Sequence, residues 1–164
     1  MYQLMRKIMI HQPPENHLSS DSLIFLELQH LAQVEFTSEH PEYPIQSALL
    51  LTDNLSTGWQ AACPGEQTIR IVFDQPQTIE HIFLTFEDQL HSRTQEFVLF
   101  GLMEKEQAYR EILRQQFNFS PPNTTCEIEH YEVRLNQLKI LELKIMPDIS
   151  NGEGYATLKQ LRLA

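Results

Sequence analysis

The chain has few cysteines and few basic residues, and each shortage excludes a class of protein. Two cysteines, Cys63 and Cys126, are too few for the disulfide framework of a small secreted scaffold. They are expected as buried free thiols, with a single bridge between them as the alternative. Twelve Lys and Arg residues stand against 22 Asp and Glu residues, which gives a formal net charge of −10. Nucleic acid and acidic membranes are therefore disfavoured as partners, because both call for a basic stripe or patch.

Long apolar runs are also missing. No stretch of 18 apolar residues, the length that spans a bilayer, occurs in the sequence. The apolar N-terminal segment is interrupted by Arg6 and Lys7, and no small-residue cleavage site follows it. The expected location is therefore the cytoplasm.

Motifs of known enzyme classes are absent as well. The sequence contains no HExxH, GxSxG, P-loop or GxGxxG pattern, and its seven histidines lack metal-ligand spacing. The pair Glu87-Asp88 falls in a predicted turn, where a solvated role is expected. Cys63 with a distant histidine is a remote nucleophilic alternative. The chain is predicted not to be an enzyme, and an unrecognised hydrolase ranks last among the hypotheses.

The residues that are present indicate one folded domain rich in strands. A length of 164 residues with 41% hydrophobic and 21% charged residues suits a single core. Apolar residues alternate with a period of two, which predicts strands over 67–73, 79–86, 138–146 and 161–163. Turn signals separate the predicted strands; they are Asp74-Gln-Pro, Glu87-Asp-Gln, Ser120-Pro-Pro-Asn, Pro147-Asp and Asn151-Gly-Glu-Gly. Short strands with frequent turns predict an all-β antiparallel sandwich or barrel.

Other segments give less uniform signals. Residues 22–31 suit a short helix or a strand, and a helical turn is predicted over 45–50, after Pro44. Residues 109–119 begin with a helical pattern, but their place between strands predicts a long strand. Trp59 is expected in the core, where its indole N–H requires a buried acceptor.

Four motifs occur in order between residues 31 and 164. The loop VEFTSEHP comes first, and the series Ala48, Asp53, Asn54, Thr57 and Trp59 follows. The strand at 69–73 and the closing segment GYATLKQLRL complete the set. Together they resemble the discoidin-like (factor V/VIII type C, galactose-binding-like) family, and RTQEFVLF and REILRQQFNFSPP resemble a bacterial subgroup described as carbohydrate-binding. The resemblance implies one antiparallel β-sandwich with jelly-roll topology over 1–164, in which 31–164 form the family-like core and 1–30 add an N-terminal strand and loop.

The resemblance also implies a structural calcium ion. Asp53 and Thr57 match the turn that holds calcium in the family, but Gln160 stands where the closing strand usually carries an acid. Calcium takes six to eight oxygen ligands, and its affinity depends on their charge. A neutral amide oxygen at Gln160 therefore predicts a weakened site. The alternative is that Asp53 is a turn residue bonded to nearby backbone amides.

A sugar site is the third implication. Galactose-binding relatives use a histidine, an arginine and an aromatic ring from strand-end loops, and the matching candidates are His91, Arg93 and Tyr155, with Asn151 in the adjoining loop. Charged donors bond strongly to hydroxyl groups, and a flat ring covers the C–H face of a sugar. The alternative is that His91 and Arg93 are solvated and that Tyr155 packs its ring with a wet hydroxyl.

The favoured function is therefore non-catalytic binding of a glycan by strand-end loops. The alternative is a protein-interaction module, including a homo-oligomer, because one fold hosts many functions. A cavity that gathers His91, Arg93 and an aromatic ring favours the glycan, whereas a contiguous exposed apolar patch favours a protein partner.

Overall fold

A computed structural model of the chain describes residues 23–51, 57–150 and 152–164. These residues form short helices and mostly antiparallel strands, which confirms the all-β prediction. The elements are α1 Leu28–Leu31, β1 Ala32–Phe36, α2 Gln46–Leu49, β2 Trp59–Gln60, β3 Gln67–Glu87, β4 Arg93–Met103, β5 Arg110–Phe119, β6 Cys126–Met146, β7 Thr157–Leu158 and β8 Gln160–Leu163. Over the described residues, no helix has the length and hydrophobicity needed to cross a membrane.

Two long strands, β3 and β6, each run through both layers of a sandwich. Residues 67–72 of β3 pair with 140–145 of β6, and β1, β4 and β5 complete a five-stranded layer in the order β1-β3-β6-β4-β5. Residues 79–87 of β3 pair with 126–135 of β6 and with β8, which forms a three-stranded layer. Phe86 of the second layer stacks on Phe97 of the first, with ring centroids 5.0 Å apart. The core therefore lies between the two layers.

The predicted turn at Asp74-Gln-Pro is wrong, because β3 continues through it. The pairing of β3 with β6 shifts register between Val72 and Gln77. Proline has no N–H to donate to a neighbouring strand, so within a sheet it is found at edges and bulges. Pro76 lies in this irregular stretch, and the bulge carries β3 from one layer into the other.

Several of the segments with mixed sequence signals behave as predicted. The helical turn over 45–50 is α2, and 110–119 form the strand β5. Of the ambiguous segment 22–31, residues 28–31 are helical, and Leu26 N–H donates to Leu163 O at 2.8 Å. The N-terminal strand and loop predicted within 1–30 lie mostly outside the described residues, which begin at residue 23.

Trp59 and the cysteines test the predicted core. Trp59 is 2% exposed, and its indole Nε1–H donates to Ser38 O at 3.0 Å, which confirms both the burial and the acceptor. Cys63 and Cys126 are free, as predicted, but both are exposed. The prediction of buried thiols is wrong because Cys63 lies in the loop after β2 and Cys126 opens β6 on its outward side.

Gly58 is the glycine whose replacement is expected to cost most. Its φ is +76°, and an added Cβ would lie 2.8 Å from Leu158 O and 2.9 Å from Lys159 Cα. We expect Gly58→Ala to lower the free energy of unfolding by about 1–3 kcal/mol, from backbone strain and this contact. Gly152→Ala is the control, since no atom lies within 4 Å of its added Cβ. Equal urea midpoints for the two variants would contradict the expectation.

Candidate functional site

A cavity of about 640 Å³ opens at one end of the sandwich. Three segments form its walls: the start of β2, the β3–β4 loop, and the loop from β6 to β8. This volume lies within the range of roughly 300–1,000 Å³ that small-molecule sites occupy. The described residues that line it are Tyr43, Thr57, Trp59, Gln60, Glu87 to Arg93, Asp148, Glu153, Gly154, Tyr155, Thr157, Leu158 and Lys159.

The β3–β4 loop is shaped by Asp88. Its Oδ1 accepts the backbone N–H groups of Leu90 and His91, each at 2.9 Å, which is the side-chain-to-backbone pattern of an Asx turn. Asp88 is 9% exposed, so the expectation of a solvated Glu87-Asp88 pair is wrong for Asp88. Burial alone would raise the pKa of Asp88, but the hydrogen bonds from Arg93 and from the two backbone amides lower it overall. Asp88 therefore stays charged and fixes the loop.

Arg93 lies beneath the loop with its guanidinium engaged by the protein. Its side chain is 3% exposed, and Nε donates to Asp88 Oδ2 at 2.7 Å. Its Nη1 donates to Gln95 Oε1 and Pro147 O, at 3.1 and 2.9 Å, and its Nη2 donates to Thr157 Oγ1 at 3.3 Å. The guanidinium also lies over the Phe119 ring, 4.4 Å from its centroid. Arg93 thus ties the β3–β4 loop to the loop after β6.

Unlike Arg93, three other lining residues have exposed side chains: Leu90, His91 and Tyr155. The His91 side chain is 72% exposed, and its Nδ1 lies 3.3 Å from Asp88 Oδ1. Tyr155 is 46% exposed and Leu90 is 81% exposed. They offer a hydrogen-bonding ring, an aromatic ring and an aliphatic surface on facing loops. Leu90 was not singled out from the sequence, where an apolar residue inside a polar turn gives no signal of its own.

The walls are more acidic than basic. Among the described lining residues, four are Asp or Glu and two are Lys or Arg. Lys159 Nζ lies 3.4 Å from Glu87 Oε2, and Arg93 is paired with Asp88, so both cations are balanced. A hydrogen bond from the Ser150 hydroxyl holds the pKa of Asp148 below its usual value. The cavity therefore presents a negative potential to a ligand.

The structure brings three of the four predicted ligand residues to this cavity. His91, Arg93 and Tyr155 all line it, although Arg93 does so from a buried position. Asn151 lies outside the described residues. The binding role of these residues stays a prediction, and the geometry favours His91 and Tyr155 as the direct contacts.

The predicted calcium ligands are only partly visible. Asp53 lies outside the described residues, and Thr57 lines the cavity. In the amide orientation that satisfies both groups, Gln160 Oε1 accepts from Nη2 and Nε of Arg162 at 2.7 and 2.9 Å. A guanidinium at that oxygen opposes a second cation there, so Gln160 does not fit as a calcium ligand in this arrangement. Calcium itself stays a prediction.

A buried polar chain leads from the cavity floor into the core. Gln95 is fully buried, and its Nε2 donates to Glu127 Oε2 at 3.1 Å. Glu127 is 1% exposed, and its other oxygen has no donor unless a proton is shared with a neighbour. Burial, and then the charge of nearby Glu129, raise the pKa of Glu127 to about 8. Glu127 is therefore held as a neutral acid in the core.

Solved structures of other proteins share the backbone fold at low sequence identity. No protein-family model matches the chain, and no curated protein matches it in sequence. A pectin-binding carbohydrate-binding module is similar over 81% of this chain and 89% of its own, at 17% identity and a TM-score of 0.55. The family 32 module of NanJ from C. perfringens, solved with galactose, is similar over 85% and 96%, at 14% identity and 0.57.

A third structure, the family 32 module of AlyQ, was solved with 4,5-unsaturated mannuronic acid. It is similar over 82% of this chain and 95% of its own, at 16% identity and a TM-score of 0.57. At such low identity the likeness concerns the backbone fold and not the site residues. The chain has the galactose-binding-like, discoidin-type β-sandwich fold, as its sequence motifs implied.

Proposed function

We propose that this protein is a non-catalytic glycan-binding module whose ligand enters the cavity between the β3–β4 loop and the loop after β6. The observation that carries the proposal is the convergence of His91, Tyr155 and Leu90 on one cavity in a fold shared with carbohydrate-binding modules. Sugar recognition needs a flat apolar surface for C–H groups and polar groups for hydroxyls. The exposed ring of Tyr155 and the imidazole of His91 supply these two parts.

The charge of the cavity favours a neutral sugar. Its two described cations are already paired with Glu87 and Asp88, so a uronic acid would meet an excess of acidic side chains over basic ones. Like charges brought together in this way lower the affinity for an anionic ligand. The ligand class proposed is therefore a neutral, polyhydroxylated glycan, in contrast with the mannuronic acid seen on the AlyQ module.

The pKa values of the carboxyl groups support a binding role without catalysis. A general acid needs a raised pKa near the working pH. The pKa values of Asp88 and Asp148, which line the cavity, are lowered. Glu127 has a raised pKa, but it is 1% exposed and lies among the buried groups of the core.

A glycan array followed by calorimetric titration tests the proposal. We expect a neutral glycan to bind, and Tyr155→Ala or His91→Ala to weaken the binding about tenfold, or 1.4 kcal/mol, through lost ring contact or hydrogen bonding. Tyr109→Ala is a matched control, because Tyr109 is 41% exposed and lies outside the cavity lining, against 46% for Tyr155. Repeating the titration with calcium and with chelator tests the calcium prediction separately.

The alternative function is a homo-oligomer without sugar binding. The apolar side chains that such an interface would bury include Ile24 and Ile128, which are 90% and 75% exposed. A blank array for the folded protein, together with a dimer mass by light scattering, would replace the glycan proposal with this one. A monomer that binds a glycan through Tyr155 would exclude it.

A further inference from the structure

Two histidines meet on the outer face of the three-stranded layer, away from the cavity. His81 lies on β3 and His130 on β6, and His81 Nδ1 is 3.0 Å from His130 Nε2. Phe83 pairs directly with His130, and His81 pairs with Glu132, so the two histidines are diagonal neighbours across adjacent strands. Neither histidine lines the proposed glycan site.

Aromatic packing holds the pair in place. The His130 ring stacks on Phe83 with centroids 4.0 Å apart and planes 8° from parallel. The His81 ring also stacks on the Phe83 ring, with centroids 6.3 Å apart, and the Phe25 ring lies edge-on to Phe83 at 5.4 Å. A pair of imidazoles supported in this way loses little further freedom when a ligand binds between them.

We propose that His81 and His130 form a surface site for a divalent transition-metal ion, with Cu²⁺ preferred. Imidazole nitrogens bind such ions at about 2.0–2.1 Å, so two ligands at a right angle lie about 2.9 Å apart and two tetrahedral ligands about 3.3 Å apart. The observed 3.0 Å is the length of a hydrogen bond between the two rings, and it is close to the separation that the right-angle arrangement requires. That arrangement belongs to the tetragonal sites of Cu²⁺ and Ni²⁺, and Cu²⁺ binds most tightly in the divalent series.

The remaining positions on the ion belong to water. Among the described residues, no group of three or more His, Cys, Asp or Glu side chains converges to hold a metal. A bound ion would replace the hydrogen bond between the two rings, since imidazole binds metals in its neutral form.

The charges around the pair admit a cation. The chain carries a formal net charge of −10, and Glu132 is the strand partner of His81. Two basic residues come near the pair by strand pairing: Arg134, two residues beyond Glu132 on the same exposed face of β6, and Arg162, opposite Phe83 on β8. The Arg162 guanidinium is directed to the Phe25 ring, 5.5 Å from the centroid, and to Gln160.

Titration of the full chain with Cu²⁺, followed by electron paramagnetic resonance and equilibrium dialysis, tests the site. We expect one nitrogen-ligated Cu²⁺ per chain, with Ni²⁺ and Zn²⁺ bound more weakly. His81→Ala and His130→Phe should each weaken binding by at least about tenfold, because even outer-shell changes at metal sites cost that much. The phenylalanine keeps the stacking on Phe83, so a loss of binding would not reflect a loss of fold.

The double variant and two control histidines complete the test. If both rings hold one ion, the double variant should bind scarcely worse than either single variant, because the chelate is already broken. His91→Ala and His30→Ala remove exposed histidines elsewhere and should leave Cu²⁺ binding unchanged. Absence of Cu²⁺ binding, or binding that survives both His81→Ala and His130→Phe, would overturn the proposal.

Discussion

The protein is expected to lose stability as the pH rises from 5 to 9, and Glu127→Gln is expected to abolish most of that loss. In the folded state Glu127 keeps its proton up to pH about 8, whereas the unfolded chain releases it near 4.5. Between these values the folded state binds more protons, so the free energy of unfolding falls with rising pH and levels off above 8. At about 1.4 kcal/mol per pKa unit, the loss is on the order of 4 kcal/mol.

Glutamine reproduces the neutral acid at this position. Its amide oxygen accepts from Gln95, and its NH₂ group donates toward Glu129, so the buried chain keeps its hydrogen bonds without a charge. Urea unfolding at pH 5, 7 and 9 measures the difference. Glu132→Gln is the control, because Glu132 lies on the same strand but is exposed. Parallel pH curves for the wild type and Glu127→Gln would refute the buried neutral acid.

Arg93→Ala is expected to cost about 3–5 kcal/mol of folding free energy, because it leaves the buried carboxylate of Asp88 without its partner. The substitution also removes the bonds to Gln95, Pro147 and Thr157 that join the two cavity loops. Glycan affinity should therefore fall even though the Arg93 side chain is only 3% exposed. Arg93 acts as a positioning residue.

Arg114→Ala is the matched control for Arg93. Arg114 also bonds to two side chains, Glu96 and Glu111, but it is 47% exposed. Exposed ion pairs contribute about 0–1 kcal/mol, so its loss should be small. Equal unfolding midpoints for Arg93→Ala and Arg114→Ala would contradict the assignment. Because the pKa of Asp88 is lowered, this stabilisation is present above its ordinary value of 3.8 and is lost as the pH falls below it.

The strands with regular alternation were predictable from the sequence. Ile69, Ile71 and Phe73 mark β3, and Leu141, Leu143 and Ile145 mark β6, because each inward position is apolar. The start of β6, over residues 126–130, gave no such signal. There Glu127 and Glu129 occupy inward positions and Ile128 is 75% exposed, so the apolar pattern is reversed. A buried acid held neutral by its surroundings depends on tertiary contacts that hydropathy does not contain.

The candidate site was also predictable only in part from the sequence. The family-like motifs led to His91, Arg93 and Tyr155, and these residues do meet at one cavity. The role of Asp88 was missed because an acid in a turn is normally solvated. Here Asp88 is buried together with Arg93, and the two side chains form an ion pair. Asp88 is buried because it pairs with Arg93 at the start of β4. That pairing depends on tertiary packing, which the local sequence does not show.

The passage of β3 and β6 through both layers has a consequence for folding. The layers share the same two strands, so we expect neither layer to unfold while the other stays intact, and the sandwich to unfold as one cooperative unit. Its central pairing joins residues far apart in sequence, from Glu87 with Cys126 to Gln67 with Ile145. Such non-local closure slows folding to the range of about milliseconds to seconds. The same long-range pairing that positions the cavity loops is therefore expected to make folding slow.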